Sequence, residues 1–140
     1  MDKQKPIFEN KIVIVLLQGL LPWQELNVTA FLASAIAGRF PETMGKDFVD
    51  ASNVNYLGIF RQPVMTFQTS KEELKSLYKK ARERELKIGI YTKNIFETQG
   101  DQNLEAVASV KEEDQDIVGL VFYGKRNSVD KVMNGQKLHP

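Results

Sequence analysis

The sequence predicts an α/β domain on a mixed, mostly parallel sheet of about four or five strands. Three observations lead to it. The run Ile12-Val13-Ile14-Val15-Leu16-Leu17 is apolar without alternation, the mark of a strand covered on both faces. It turns through Gly19 and Pro22 into an Ala-rich helical segment over 24–37, which makes half of a βαβ unit. The pattern then recurs as a strand over 63–68, a helix over 70–85 and a strand over 86–92.

Each element has a local reason. Residues 1–10 are polar, contain Pro6, and read as a flexible lead-in to a single domain over 11–140. The first helix starts either at Pro22, a favoured first-turn residue, or at Asn27, a good N-cap. Its apolar residues span most of its circumference, so the expectation is heavy burial. Gly38 and Pro41 end it. Between 41 and 61 no long period appears, and Asp50-Ala51-Ser52-Asn53 reads as a turn inside a short β excursion. Ser70 and Glu73 form a capping-box pattern, with Leu74, Leu77, Tyr78 and Ala81 on one stripe. A polar connection over 93–115 holds a short helical stretch. Residues 116–124 form the last strong strand, and a short helix capped by Asn127 or Ser128 stops at Asn134-Gly135.

Composition excludes several chemistries. The 140 residues contain no cysteine, which rules out disulfides and thiolate catalysis and suits a cytoplasmic location. The formal net charge is +1, so no bulk field draws polyanions. The first apolar run is too short to span a bilayer. No Walker A or GxGxxG pattern occurs, so no cofactor is expected. The only histidine, His139, lies at the tail and reads as solvated, which leaves no catalytic triad and no metal site. Asp50 reads as a turn residue. The Lys71, Lys75 and Lys79 stripe is interrupted by glutamates and reads as a solvated helix face.

Candidate binding residues follow from topology. In open α/β sheets ligands collect beyond the carboxyl ends of the parallel strands. That rim should carry Trp23, Asn27, Thr92, Lys93 and Asn94, with Phe96 as a second apolar wall beside Trp23. Trp23 offers a flat apolar wall, with core or staple packing as its alternative role. The Asn27 amide both donates and accepts, with helix capping as its alternative. Lys93 is the cation of the set. The expected feature is a concave pocket lined by Trp23, Asn27 and Thr92, its guest small and neutral or anionic.

Three segments carry a resemblance: KIVIVLLQGLLPWQELNVTAFLASAIAG, LKIGIYTKNIFETQGDQN and DIVGLVFYGKRNSVDKVMNGQKLHP. They resemble a bacterial family of domains of unknown function, similar in fold to the type II peptidyl-tRNA hydrolases. The WQ-x-x-N-x-x-AFL and GKRNSVDKV strings are the most specific parts. The resemblance implies a three-layer α/β/α domain, and the strand over 116–124 is the one expected to run antiparallel. The hydrolases' helix lysine and glutamine fall near Asn27 and Phe31, and of their later Asp-Ala-Gly-x-Thr-Gln motif only Thr98-Gln99 is echoed. The functional groups of the hydrolase are therefore replaced at the matched positions. Two function classes follow: a small-ligand-binding or regulatory domain on a hydrolase-like scaffold, preferred, and alternatively a hydrolase of peptidyl-tRNA or a related small ester or amide that uses Asn27, Lys93 and Thr98. Under the first, tRNA is not an expected partner, no membrane is involved, and a homodimer is admissible. The catalytic residues stay unknown.

Overall fold

The computed structural model describes residues 6–140, so the first half of the expected lead-in lies outside the described residues. The elements run β1 (Asn10–Leu17), α1 (Pro22–Arg39), β2 (Phe48–Val49), β3 (Asn55–Tyr56), β4 (Val64–Thr69), α2 (Lys71–Glu83), β5 (Lys87–Thr92), α3 (Gln102–Ala108), β6 (Ile117–Lys125) and α4 (Arg126–Met133). Four strands form the main sheet in the order β4-β1-β6-β5, and β2 and β3 form a separate ribbon.

β1 pairs in parallel with β4, while β6 lies between β1 and β5 and runs antiparallel to both. Three strands therefore share one direction, as a mostly parallel sheet requires, and the last strand is reversed. Its central position means that only one of the three ladders is parallel. β6 occupies the slot where each of its edges meets a neighbour, which satisfies its backbone groups in the middle of the core.

Period-two alternation sorts the apolar strands into two layers. Ile12, Ile14 and Leu16 pack with Val28, Leu32 and Ile36 of α1 on one face. Val13 and Val15 pack with Leu74 and Leu77 of α2 and with Val129 and Val132 of α4 on the other. This is the three-layer α/β/α arrangement, and it explains why the first strand shows no alternation. α1 sits close to the sheet because β6 carries a glycine beneath it. A Cβ on Gly119 would fall 2.6 Å from Val28 Cγ1 and 3.0 Å from Leu32 Cδ1.

Three expectations need correction. α1 is not heavily buried: Val28, Leu32 and Ile36 are, but Trp23, Leu26 and Phe31 are open to solvent. One sheet covers only one stripe of a helix, and among the described residues no second layer lies outside α1. α4 has no Asn127 or Ser128 cap, because it begins at Arg126 directly from β6. His139 is not a solvated tail residue, while Leu138 packs the tail back as its apolar side chain suggests. Leu138 bridges Phe67 at the open edge of β4, and the His139 amide donates to the Thr66 carbonyl at 2.9 Å. An edge strand offers unpaired backbone groups, and the tail takes them.

Ile14 is fully buried at the centre of this assembly. Ile14→Ala is expected to lower the unfolding free energy by about 2–5 kcal/mol, the cost of a core cavity. Urea denaturation measures it, and a change under about 0.5 kcal/mol, the surface range, would contradict the core assignment.

Candidate functional site

The turn that leaves β1 delivers α1 to the carboxyl rim. The helix begins at Pro22, with Leu21 extended before it and the Gln24 side chain accepting the Leu21 amide at 3.0 Å. Asn27 therefore stands in the second turn and does not cap the helix. Its amide is free for another partner, and it donates to the Tyr91 hydroxyl at 3.3 Å. Tyr91 is the penultimate residue of β5, so Asn27 and the carboxyl end of β5 meet at one rim.

Aromatic rings surround this pair. Phe31 lies 5.6 Å from the Tyr91 ring, Phe96 lies 5.0 Å from it on the other side, and Trp23 meets Phe96 edge-on at 5.9 Å. Trp23 is 58% exposed, so it is a surface wall and neither core nor staple. Burial pushes the Tyr91 phenol up, against the lowering effect of the Asn27 hydrogen bond, so it stays neutral at physiological pH. Because Tyr91 accepts from Asn27, its own proton remains available to donate, and the Asn27 carbonyl remains available to accept. The Asn27–Tyr91 pair is thus uncharged; Tyr91 itself is buried, and the exposed rings beside Asn27 are Trp23 and Phe31.

The other expected residues are dispersed. Thr92 is only 1% exposed, and its hydroxyl bonds the Asn94 carbonyl oxygen. Asn94 in turn donates to the Ala106 carbonyl at 3.0 Å, tying the connection after β5 to α3. Lys93 and Asn94 line a shallow cleft of about 280 Å³ with Glu97, Asp114 and Asp116, and Trp23 and Asn27 are not among its lining residues. The Thr98 hydroxyl bonds Asn103 at the start of α3. Thr92, Asn94 and Thr98 thus brace the rim, and Trp23 and Asn27 face outward on it. Tyr91, read only as part of the strand over 86–92, and Phe31, read only as a replaced hydrolase position, are additions, whereas Phe96 stands beside Trp23 as expected. The available signal was the i, i+4, i+8 spacing of Trp23, Asn27 and Phe31, one edge of a helix.

A second pair lies on the opposite flank of α1. His139 Nε2 donates to the Glu25 carboxylate, and Nδ1 meets the Pro140 carbonyl at 3.0 Å. Both nitrogens donate only in the imidazolium form, and the Pro140 carbonyl and then Glu25 raise the His139 pKa above its ordinary value. The histidine read as a solvated tail residue is therefore held at the first turn of α1, because the tail bridge on β4 carries it there. Asp50 does act as a turn residue. Its carboxylate accepts from the Ser52 and Val54 amides and the Tyr56 hydroxyl, and the Val54 amide is the largest influence holding its pKa low. Among the described residues, no cluster of three or more histidine, aspartate or glutamate side chains could hold a metal ion. No helix among them is long and apolar enough to cross a membrane.

Comparison with known proteins agrees with this architecture. The chain belongs to the family described as "Protein of unknown function (DUF2000)", whose model matches residues 10–140. It is similar to a solved structure of a protein of unknown function from Agrobacterium tumefaciens strain C58, at 31% identity and a TM-score of 0.90, covering 96% of this chain and 100% of that one. No curated protein matches.

The single histidine makes tail docking measurable. A raised folded pKa means that the pairing contributes fully below the ordinary imidazole value of about 6.5 and is lost as pH rises through the elevated one. In Glu25→Gln the imidazole proton resonances should titrate at lower pH than in the parent chain, though the Pro140 carbonyl still holds the value up. An unchanged titration midpoint would refute the pairing.

Proposed function

We propose that this chain is a small-ligand-binding domain on a scaffold similar to that of type II peptidyl-tRNA hydrolases, with its binding patch at Trp23, Asn27 and Tyr91. The observation that carries this reading is the outward-facing Trp23 beside an uncharged donor–acceptor pair. A protein gains nothing in stability from leaving an indole half in water, whereas a flat wall beside hydrogen-bonding groups is the usual equipment of a small-molecule site. The absence of charge favours a neutral guest, one whose amide N–H donates to the Asn27 carbonyl while Tyr91 holds the Asn27 amide from behind. Thr92, Asn94 and Thr98 support the patch from behind, and Lys93 lies on the separate cleft.

Trp23 is the only tryptophan, so its fluorescence reports directly on the patch. Titration with N-acetylated amino-acid amides and esters should quench or shift the emission saturably. Asn27→Leu should weaken the response about tenfold or more, since one hydrogen bond to a buried partner is worth on the order of 1 kcal/mol and an orphaned Tyr91 adds to the loss. A response that Asn27→Leu leaves unchanged would count against the patch.

A second reading is hydrolysis, favoured by the His139–Glu25 pair at the first turn of α1. It would use that pair instead of the Asn27, Lys93 and Thr98 set. The raised His139 pKa argues against it, because stabilising the protonated imidazole lowers the fraction that can act as a base. No cleavage of peptidyl-tRNA is therefore expected. Turnover that vanishes in His139→Ala or Lys93→Ala would overturn the ligand-binding reading.

A further inference from the structure

The basic stripe of α2 faces the segment that follows α3. Lys71, Lys75, Lys79 and Arg82 succeed one another at helical spacing and form a row along one side of α2. The acids of the 112–116 segment answer only the two ends of that row. Lys71 pairs with Asp116 at 3.5 Å, and Arg82 pairs with Glu112 at 3.5 Å. Lys75 and Lys79, between them, form no ion pair among the described residues. Like charges one helical turn apart repel each other, so these two lysines are the least stable part of the row.

Both of them line a cavity of about 370 Å³, a size in the range of small-molecule sites. Gln115 and Ile117 form its floor, only 8% and 5% exposed, and Tyr78 lines it from the helix. Its walls are tied together. The Tyr78 hydroxyl donates to Glu112 at 2.6 Å. The Gln115 side-chain amide donates to the Val107 carbonyl at 2.8 Å and the Val110 carbonyl at 2.9 Å. Those two bonds use both N–H groups of Gln115, and its carbonyl oxygen accepts from no donor among the described residues. No fully buried side-chain oxygen or nitrogen among them lacks a partner, so this oxygen is open to the cavities that Gln115 borders. A residue more than nine-tenths buried thus keeps one acceptor unused beside two unpaired cations.

We infer that this cavity binds a small monocarboxylate that carries a hydrogen-bond donor on an apolar body. The carboxylate bridges Lys75 and Lys79 through charge-assisted hydrogen bonds. The apolar body lies along Tyr78 and Ile117, and the donor reaches the Gln115 carbonyl oxygen. Glu83 and Glu113 also line the cavity, and they oppose a second negative charge on the guest. The site is independent of the Asn27 patch, because α2 packs on Val13 and Val15, on the sheet face opposite to α1.

Nuclear magnetic resonance titration of the isotope-labelled full chain with para-hydroxybenzoate tests this. The Gln115 side-chain amide resonances should shift saturably at millimolar ligand, while the Trp23 indole resonance stays in place. Lys75→Gln with Lys79→Gln should weaken binding about tenfold or more, since hydrogen bonds to charged groups are the stronger kind. Both lysines are exposed, so circular dichroism should be unchanged. Lys80→Gln with Arg84→Gln removes the same charge outside the cavity and should leave affinity unaltered. para-Hydroxybenzamide keeps the ring and the donor without the charge, and on the parent chain it should bind at least about tenfold more weakly. No saturable shift at Gln115, equal binding of the benzamide, or equal weakening by the two double changes would each overturn the site.

Discussion

Everything in this fold leans on the antiparallel insertion of β6. Its residues from Ile117 to Tyr123 are all buried, and both of its edges are paired. Removing it would separate β5 from β1 and leave two unpaired edges in the core. The strand also sets where α1 can lie, because Gly119 lets Val28 and Leu32 come down onto the sheet. With α1 lowered over β6, its first turns reach Tyr91 on one flank and the edge of β4 on the other. The rim chemistry is thus a consequence of how closely helix and sheet approach.

The two flanks of α1 differ in character. About 100° of rotation per residue puts Glu25 and Asn27 roughly 200° apart around the helix. One side meets the tail and forms a charged pair with His139; the other meets β5 and forms a neutral amide–phenol pair among rings. A charged pair near the amino end of a helix suits an acidic residue, since the dipole stabilises Glu25 there. The neutral side gains no such help and relies on shape and two hydrogen-bonding atoms. That asymmetry is the physical basis on which we propose ligand recognition for Trp23 and Asn27, while His139 latches the tail to α1.

The helix α1 and the β2–β3 ribbon share one property: more apolar surface than the chain itself covers. For α1 this was visible as an apolar character around its whole circumference, which a single covering layer cannot bury. The sheet supplies only one. Burial within the chain was the wrong inference from a sound observation. The ribbon gave a weaker signal, because Phe48, Val49, Val54 and Tyr56 are spaced like any short hairpin, and nothing in their spacing tells a buried ribbon from an exposed one.

Strand and helix existence was legible because local chemistry dictates it. Unalternating Val and Ile made β1 a central strand, the Ser70–Glu73 spacing placed the start of α2, and Gly135 stopped α4. The reversal of the last strand came with the resemblance, of which the match over residues 10–140 supports the family of unknown function, and its slot between β1 and β5 came only with the coordinates. The common rim of Asn27 and the end of β5 also followed from strand direction. What the sequence by itself could not decide was which rim side chains face outward. Thr92 and Thr98 turned inward to brace α3, Trp23 stayed in solvent, and a terminal histidine was carried back to Glu25 by an edge bridge 114 positions along the chain. Periodicity and capping act over a few residues, so the sequence determined the elements. Contacts between distant positions depend on how those elements pack, and that tertiary step alone assembled Asn27 with Tyr91 and closed the tail onto β4.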